Sequence, residues 1–268
     1  MKHCLTIAGS DSSGGAGIQG DLKTFSAHAT FGMSVITAVT AQNTQGVFDV
    51  EDMNPSIIAN QIEAIFDDIV VHAIKIGMVS KIETIEVIAK TLKKYSLPPL
   101  VLDPVMISKS GYNLLKPEAK KALIEKLFPM ATLITPNLPE TEEILGYKIK
   151  NLEVMKQAAK DLHSLGPDYI LVKGGHLAYT ATDILYDGKN FYSFKQERIK
   201  TTHTHGTGCS LSSAITANLA KGFPMTKAVK AAKEYITTAI LHGFPIGKGV
   251  GPTHHFYELY KKAGIQYE

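Results

Sequence analysis

The chain has 268 residues, 44% of them hydrophobic and 20% charged, which is an ordinary balance for a globular protein able to bury a substantial core. Its formal net charge of +3 is spread along the sequence with no long Lys or Arg run, arguing against nucleic acid or a membrane surface as partner. Two distant cysteines make no disulfide framework, no stretch reaches about 18 consecutive apolar residues, and no charged-then-apolar leader opens the chain, so a cytoplasmic protein is expected.

A first strand is expected over 4–8, ending in the run Gly9-Ser10-Asp11-Ser12-Ser13-Gly14-Gly15-Ala16-Gly17. A helix over 18–29 follows, with Leu22, Phe25 and Ala29 at three- and four-residue spacing. The apolar run 33–39 reads as a buried strand. Asn54 and Pro55 are placed as N-cap and first residue of a helix running through Ile58, Ile62 and Phe66. Strands over 73–77, 100–103, 131–134 and 169–172 then alternate with helices over 82–92, 117–128 and 152–165. The alternation breaks once, at 182–194, where Asp187-Gly188-Lys189-Asn190 turns an antiparallel hairpin. Helices over 210–220, 225–241 and 256–262 complete the chain. Near-continuous apolar strands separated by helices predict an α/β protein, a mostly parallel sheet covered on both faces with a small edge hairpin, in a single domain over 1–268.

The polar and glycine signals sit just after strands: Gly9-Ser10-Asp11, Gln42-Asn43, Gly77-Met78, Asp103-Pro104, Pro136-Asn137 and Lys173-Gly174-Gly175. Ligands in open α/β sheets bind at the carboxyl ends of the strands, so one crevice is expected to collect all six. Neither the Walker phosphate loop nor the G-x-G-x-x-G spacing is present. The phosphate machinery is therefore expected in Gly206-Thr207-Gly208-Cys209, a glycine turn leading into an apolar helix whose N–H groups and positive end face an anion.

Several side chains carry two readings. Lys173 either brings a point charge to phosphates or simply reaches solvent from a strand end. Asn137 and Glu140 either hold a hydrated Mg²⁺ or cap a helix, and Asp103 either adds a carboxylate to that metal or ends its strand. His205 either touches phosphate or fills the turn. Cys209 either packs, or serves as a base whose thiol pKa is lowered by the helix end.

Taken together these motifs resemble the ribokinase superfamily of small-molecule kinases, whose usual G-A-G-D turn has Cys209 here in place of the Asp. The substitution is similar to that in the hydroxymethylpyrimidine/phosphomethylpyrimidine kinases of thiamine biosynthesis. Nearly the whole chain takes part, including 8–19, 37–47, Lys75-Ile76-Gly77-Met78, Asp103-Pro104-Val105-Met106, Thr135-Pro136-Asn137, Val172-Lys173-Gly174-Gly175-His176 and Gly251-Pro252-Thr253-His254. The resemblance implies a three-layer α/β/α ribokinase-like fold and a kinase using ATP and Mg²⁺. It would phosphorylate 4-amino-5-hydroxymethyl-2-methylpyrimidine and then its monophosphate. It further implies that Gln42 bonds the aminopyrimidine while Asp21, Gly9, Met78 and Val105 line the ring pocket. Cys209, Gly206 and Gly208 would act at the reacting oxygen; Lys173, Thr207 and His205 would bind the nucleotide; Asp103, Asn137 and Glu140 would support the metal. A homodimer is expected on the same ground. The tail residues 243–253 also resemble Cys-turn pyridoxal kinases, the alternative reading.

Overall fold

The computed structural model describes residues 1–107, 111–175 and 181–266; His176 of the expected motif lies outside them. In chain order the elements are β1 (Lys2–Asp11), α1 (Gly17–Ala27), β2 (Thr30–Gln42), β3 (Val47–Asp52), α2 (Pro55–Phe66), β4 (Ala73–Ile76), α3 (Ile82–Leu92), β5 (Leu100–Leu102) and α4 (Ala119–Ala122). They continue with β6 (Leu133–Ile134), α5 (Leu138–Leu145), α6 (Leu152–His163), β7 (Tyr169–Val172), β8 (Ala181–Tyr186), β9 (Phe191–Gln196), α7 (Thr207–Ala220), α8 (Met225–Leu241) and α9 (Tyr257–Ala263).

The strands form one sheet in the order β3-β2-β1-β4-β5-β6-β7-β8-β9. The six strands from β2 to β7 in that order are parallel, and β8 and β9 add the expected hairpin antiparallel to β7. A second antiparallel edge was not expected: β3 pairs with β2 through a loop closed by the Asn43 N–H on Gly46 O. Strand alternation sorts the core into two layers. Leu5, Ile7, Ile74, Ile76, Leu100, Leu102 and Ile134 point to one face, against Ile58 and Ile62 of α2, Ile85 and Ile88 of α3, and Met155 and Leu162 of α6. Val101, Leu133 and Leu171 point to the other, against Leu211 and Ile215 of α7 and Val229 and Ile236 of α8. Cys4 and Ala73 meet Phe25 of α1 and Ala217 of α7 on that second side. The three layers match the expected architecture.

Asn54 caps α2 as expected, accepting the Ser56 N–H at 2.9 Å. The helix expected over 117–128 is α-helical only at α4, then widens into a π turn over Leu123–Leu127 and a 3-10 turn over Phe128–Met130. Pro129 has no N–H to continue the ladder. α7 is buried nearly all round because Ser210, Ser212, Ser213, Ala214 and Ala217 are small enough to let it lie close to the sheet.

Candidate active site

The chain leaves β1 for β2 and β3 on one side and returns to place β4 on the other, so the topology switches beside β1. A cavity of about 480 Å³ opens there, within the range of small-molecule sites. Its walls include Gly9 and Asp11, Gln42, Met78, Asp103 and Val105, Asn137, Lys173, and residues 205–209. All six strand-end signals contribute to it. A second cavity of about 290 Å³ lies beyond the turn, lined in part by Ile199, Leu211, Ile236 and Ile240. The two share Asn137, Lys173, Thr207 and Gly208. A group passing from one cavity to the other must cross the turn. A larger hollow of about 640 Å³ adjoins Glu140 but has a rim of Lys116, Lys120 and Lys148 and no part of the turn, so we place the chemistry in the smaller pair.

The turn is built as expected. Gly206 is the N-cap of α7 with φ 77°, a left-handed conformation that favours glycine, and a Cβ there would lie 1.8 Å from Gly15 O. Thr207 Oγ1 donates to Thr204 O at 2.8 Å, leaving the turn tied down at its start. The amides of Gly208 and Cys209 fall in the first turn of a 14-residue helix, where no intrahelical acceptor exists.

Charge gathers beneath this turn. Lys173 Nζ lies 2.8 Å from Asp103 Oδ1, which also accepts Thr135 Oγ1 at 3.0 Å. Burial opposes ionisation of Asp103, but Lys173 and then Lys75 outweigh it and hold its carboxyl below the usual range. Burial likewise opposes the charge on Lys173, and Asp103 followed by Glu140 keeps it cationic. Lys173 therefore does not reach solvent from a strand end.

Asp21 is corrected. It lines neither cavity; it is fully buried, with Lys75 Nζ at 2.8 and 3.0 Å, Thr6 Oγ1 at 2.6 Å and Ser213 Oγ at 2.7 Å. It serves to hold Lys75, which does reach the larger of the paired cavities. Burial would strip the proton from Lys75, yet Asp21, then Cys209 and Asp103, raise its pKa above the ordinary value.

Asn137 and Glu140 form a capping box on α5. Asn137 Oδ1 accepts the Glu140 N–H at 2.9 Å and Glu140 Oε2 accepts the Asn137 N–H at 2.8 Å. The amide oxygen is thus committed to the cap, while Glu140, pushed up to about 7 mainly by burial, still faces the cavity. Cys209 departs from expectation. It keeps part of its surface open to the cavity, but burial, outweighing Lys75, pushes its thiol up to about 11. The direction is opposite to the lowering expected from the helix end. His205 is also redirected: its Nε2 lies 2.7 Å from Asp11 Oδ2, so the ring meets a carboxylate in place of phosphate.

Three elements carry little signal in the sequence: Asp11 reads only as part of a motif, Lys75 is marked only as a lone charge inside an apolar strand, and the second cavity draws on aliphatic residues that read as plain core.

Two cavities meeting at a glycine turn at a helix N-terminus, on one sheet covered by helices on both faces, define the ribokinase-like class of small-molecule kinases. Residues 11–254 match the family model of phosphomethylpyrimidine kinase, and the chain belongs to that family. It is 50% identical over 261 residues to the hydroxymethylpyrimidine/phosphomethylpyrimidine kinase of Rhizobium meliloti, covering 96% of this chain and 98% of that protein. A thiamine biosynthesis bifunctional protein of Geobacter sulfurreducens is 49% identical over 252 residues, 94% of this chain; the chain spans only 51% of that protein's length. The crystal structure of phosphomethylpyrimidine kinase from Clostridium difficile superposes with a TM-score of 0.81 at 58% identity, covering 90% and 100% of the two chains. The ADP complex of Bacillus subtilis pyridoxal kinase superposes at 0.89 with 44% identity, covering 96% and 98%.

Proposed function

We propose that the protein is an ATP-dependent kinase which phosphorylates the hydroxymethyl group of 4-amino-5-hydroxymethyl-2-methylpyrimidine and then the resulting monophosphate, in thiamine biosynthesis. The observation that carries this reading, in a chain of this family, is the pair of cavities sharing Lys173, Thr207 and Gly208. The pyrimidine occupies the larger one, with Gln42 at its aminopyrimidine edge and Met78 and Val105 against the ring. ATP enters the smaller one and brings its terminal phosphate to the turn.

The amides of Gly208 and Cys209 take up charge on the migrating phosphoryl group, and Lys173 adds a cation beside it. The transition state for such transfer is loose, so the hydroxyl proton leaves late, passing to an oxygen of the transferred phosphoryl group, and little base strength is needed. Cys209, a neutral thiol, is then part of the turn's shape and supplies its backbone N–H.

Mg²⁺ belongs to this reading. Among the described residues no cluster of three or more His, Cys, Asp or Glu forms a metal cage. Asp103 and Glu140 offer carboxylates to the cavity, while Asp11, also in its wall, is occupied by bonds to Ser13, Gly15, Ala16 and His205; this sparse donor set suits a cation held largely by water and nucleotide phosphates. Bound there, it would neutralise phosphate charge.

The second reading, pyridoxal kinase, draws on the 44% identity to the Bacillus subtilis enzyme. Comparing kcat/KM for the pyrimidine alcohol and for pyridoxal, with products identified by mass spectrometry, separates the two; a preference for pyridoxal would overturn the first. A cytoplasmic homodimer completes the reading. It is supported by exposed Phe31, Val39 and Phe48 along the β2–β3 edge. Sedimentation would show a monomer if the dimer is wrong.

A further inference from the structure

Asp11 ends β1, 194 positions before the histidine it meets, and its carboxylate is almost wholly buried. Oδ1 accepts Ser13 N–H at 2.8 Å and Ser13 Oγ at 2.7 Å; Oδ2 accepts Ala16 N–H at 2.8 Å, Gly15 N–H at 3.2 Å and His205 Nε2 at 2.7 Å. Burial opposes its ionisation, but the bonds from His205, Ser13 and Ala16 outweigh that and hold the carboxyl well below its usual range. An ionised carboxylate only accepts, so the ring hydrogen of His205 sits on Nε2.

His205 immediately precedes Gly206. Its backbone is pinned on both sides, N–H to Gly251 O at 3.0 Å and carbonyl from Thr253 N–H at 3.3 Å. The opening loop and the phosphate turn also press together: a Cβ on Gly15 would fall 2.4 Å from His205 Cδ2. One carboxylate therefore bonds both loops where they touch. On its other flank, Ser12 Oγ donates to Gln42 O at 2.7 Å and accepts Gln42 N–H at 2.8 Å, so the same loop also braces the residue at the ring edge.

We infer that Asp11 is a positioning residue for phosphoryl transfer, acting through His205 to fix the amides of Gly208 and Cys209 at the migrating group. This rests on the kinase reading above. Asp11 itself reads no ligand, since every acceptor direction it shows is used by the protein. Its effect is geometric: amides displaced by about 1 Å lose on the order of 100-fold in rate.

The test uses the full chain with Mg·ATP and the pyrimidine alcohol, comparing wild type with Asp11→Asn, His205→Ala, His205→Gln and the double variant Asp11→Asn/His205→Ala. In Asp11→Asn an amide NH₂ confronts donors that had shared an oxygen. We expect kcat to fall by about 100-fold while KM for the alcohol and for ATP each move less than about threefold. His205→Ala should match it, and the double variant should be no worse than either single one. His205→Gln carries an N–H donor near the Nε2 position and should recover to within about tenfold of wild type; because it is compared with His205→Ala at the same site, the contrast survives even if Asp11→Asn folds poorly. Wild-type kcat in Asp11→Asn or His205→Ala, equal loss in His205→Gln and His205→Ala, or additive losses in the double variant would each overturn the inference while leaving an active wild type as a kinase. A wild type that phosphorylates neither the alcohol nor its monophosphate overturns the kinase reading, and this inference with it.

Discussion

Lys173, on the wall common to both cavities, sets its Nζ 2.8 Å from Asp103 Oδ1 and so ties the end of β7 to the end of β5. The pair is nearly dry, with side-chain exposures of 14% and 2%. Removing one member of such a pair leaves a buried charge without its counter-ion, at a cost of about 3–5 kcal/mol. Lys173→Met should lower unfolding free energy by that order and raise KM for ATP. Adding Asp103→Asn should restore much of the stability and none of the activity. Denaturant melts of the three proteins check this; an unchanged melt in Lys173→Met would show that the pair contributes nothing.

Glu140 predicts a stability profile of the opposite kind. Its folded value of about 7 lies above its ordinary 4.5, so between those pH values the folded protein keeps a proton that the unfolded chain has released. Stability without ligand should therefore fall as pH rises from about 4.5 to about 7, by on the order of 3 kcal/mol. Glu140→Gln keeps an acceptor for the Asn137 N–H and should flatten that profile while slowing turnover. Parallel profiles for the two proteins, followed by thermal melts across that range, would rule out burial of an ionising carboxyl at this position.

Cys209, with its thiol pushed up to about 11, should behave as a sluggish nucleophile. Its alkylation by iodoacetamide should climb steadily through pH 9 with no inflection near 7. Cys209→Ala should keep kcat within about tenfold of wild type. A thousandfold loss, with disappearance of one limb of the pH–rate profile, would instead make Cys209 the proton acceptor.

Gln42 lines the larger of the paired cavities while its side-chain oxygen receives, among the described residues, a long 3.3 Å contact from Thr40 Oγ1. Losing one or two hydrogen bonds of about 1 kcal/mol each to the ring edge should raise KM for the alcohol by roughly 5- to 30-fold in Gln42→Ala. KM for ATP should not move. Equal changes for both substrates would take Gln42 out of the ring site.

The parallel sheet was legible because strands such as Leu100–Leu102 are buried on both faces and bounded by breaks, and because helices such as α2 announce their caps. β3 was not, since an edge strand carrying Asp49, Glu51 and Asp52 shows neither face a continuous apolar side. At the site, the glycine turn and the strand-end residues could be read from local chemistry. What they touch could not. Asn137 and Glu140 satisfy each other within one helical turn, so the capping reading of that pair holds. Asp21 finds Lys75 54 positions away and turns from the cavity, and no local signal distinguishes a carboxylate facing a ligand from one facing a buried lysine. The sign of the Cys209 shift was missed for a similar reason: the helix end is visible in sequence, while the burial that overrides it is set by packing.

A structure determined with a non-hydrolysable ATP analogue and the pyrimidine alcohol bound together measures directly where the two substrates sit. It should show the ring against Met78 and Gln42, the nucleotide beside Ile236 and Ile240, and the terminal phosphate between the hydroxyl and Lys173 at the amides of Gly208 and Cys209. A nucleotide seated in the cavity of Gln42 and Met78, or a terminal phosphate away from that turn, would contradict this placement.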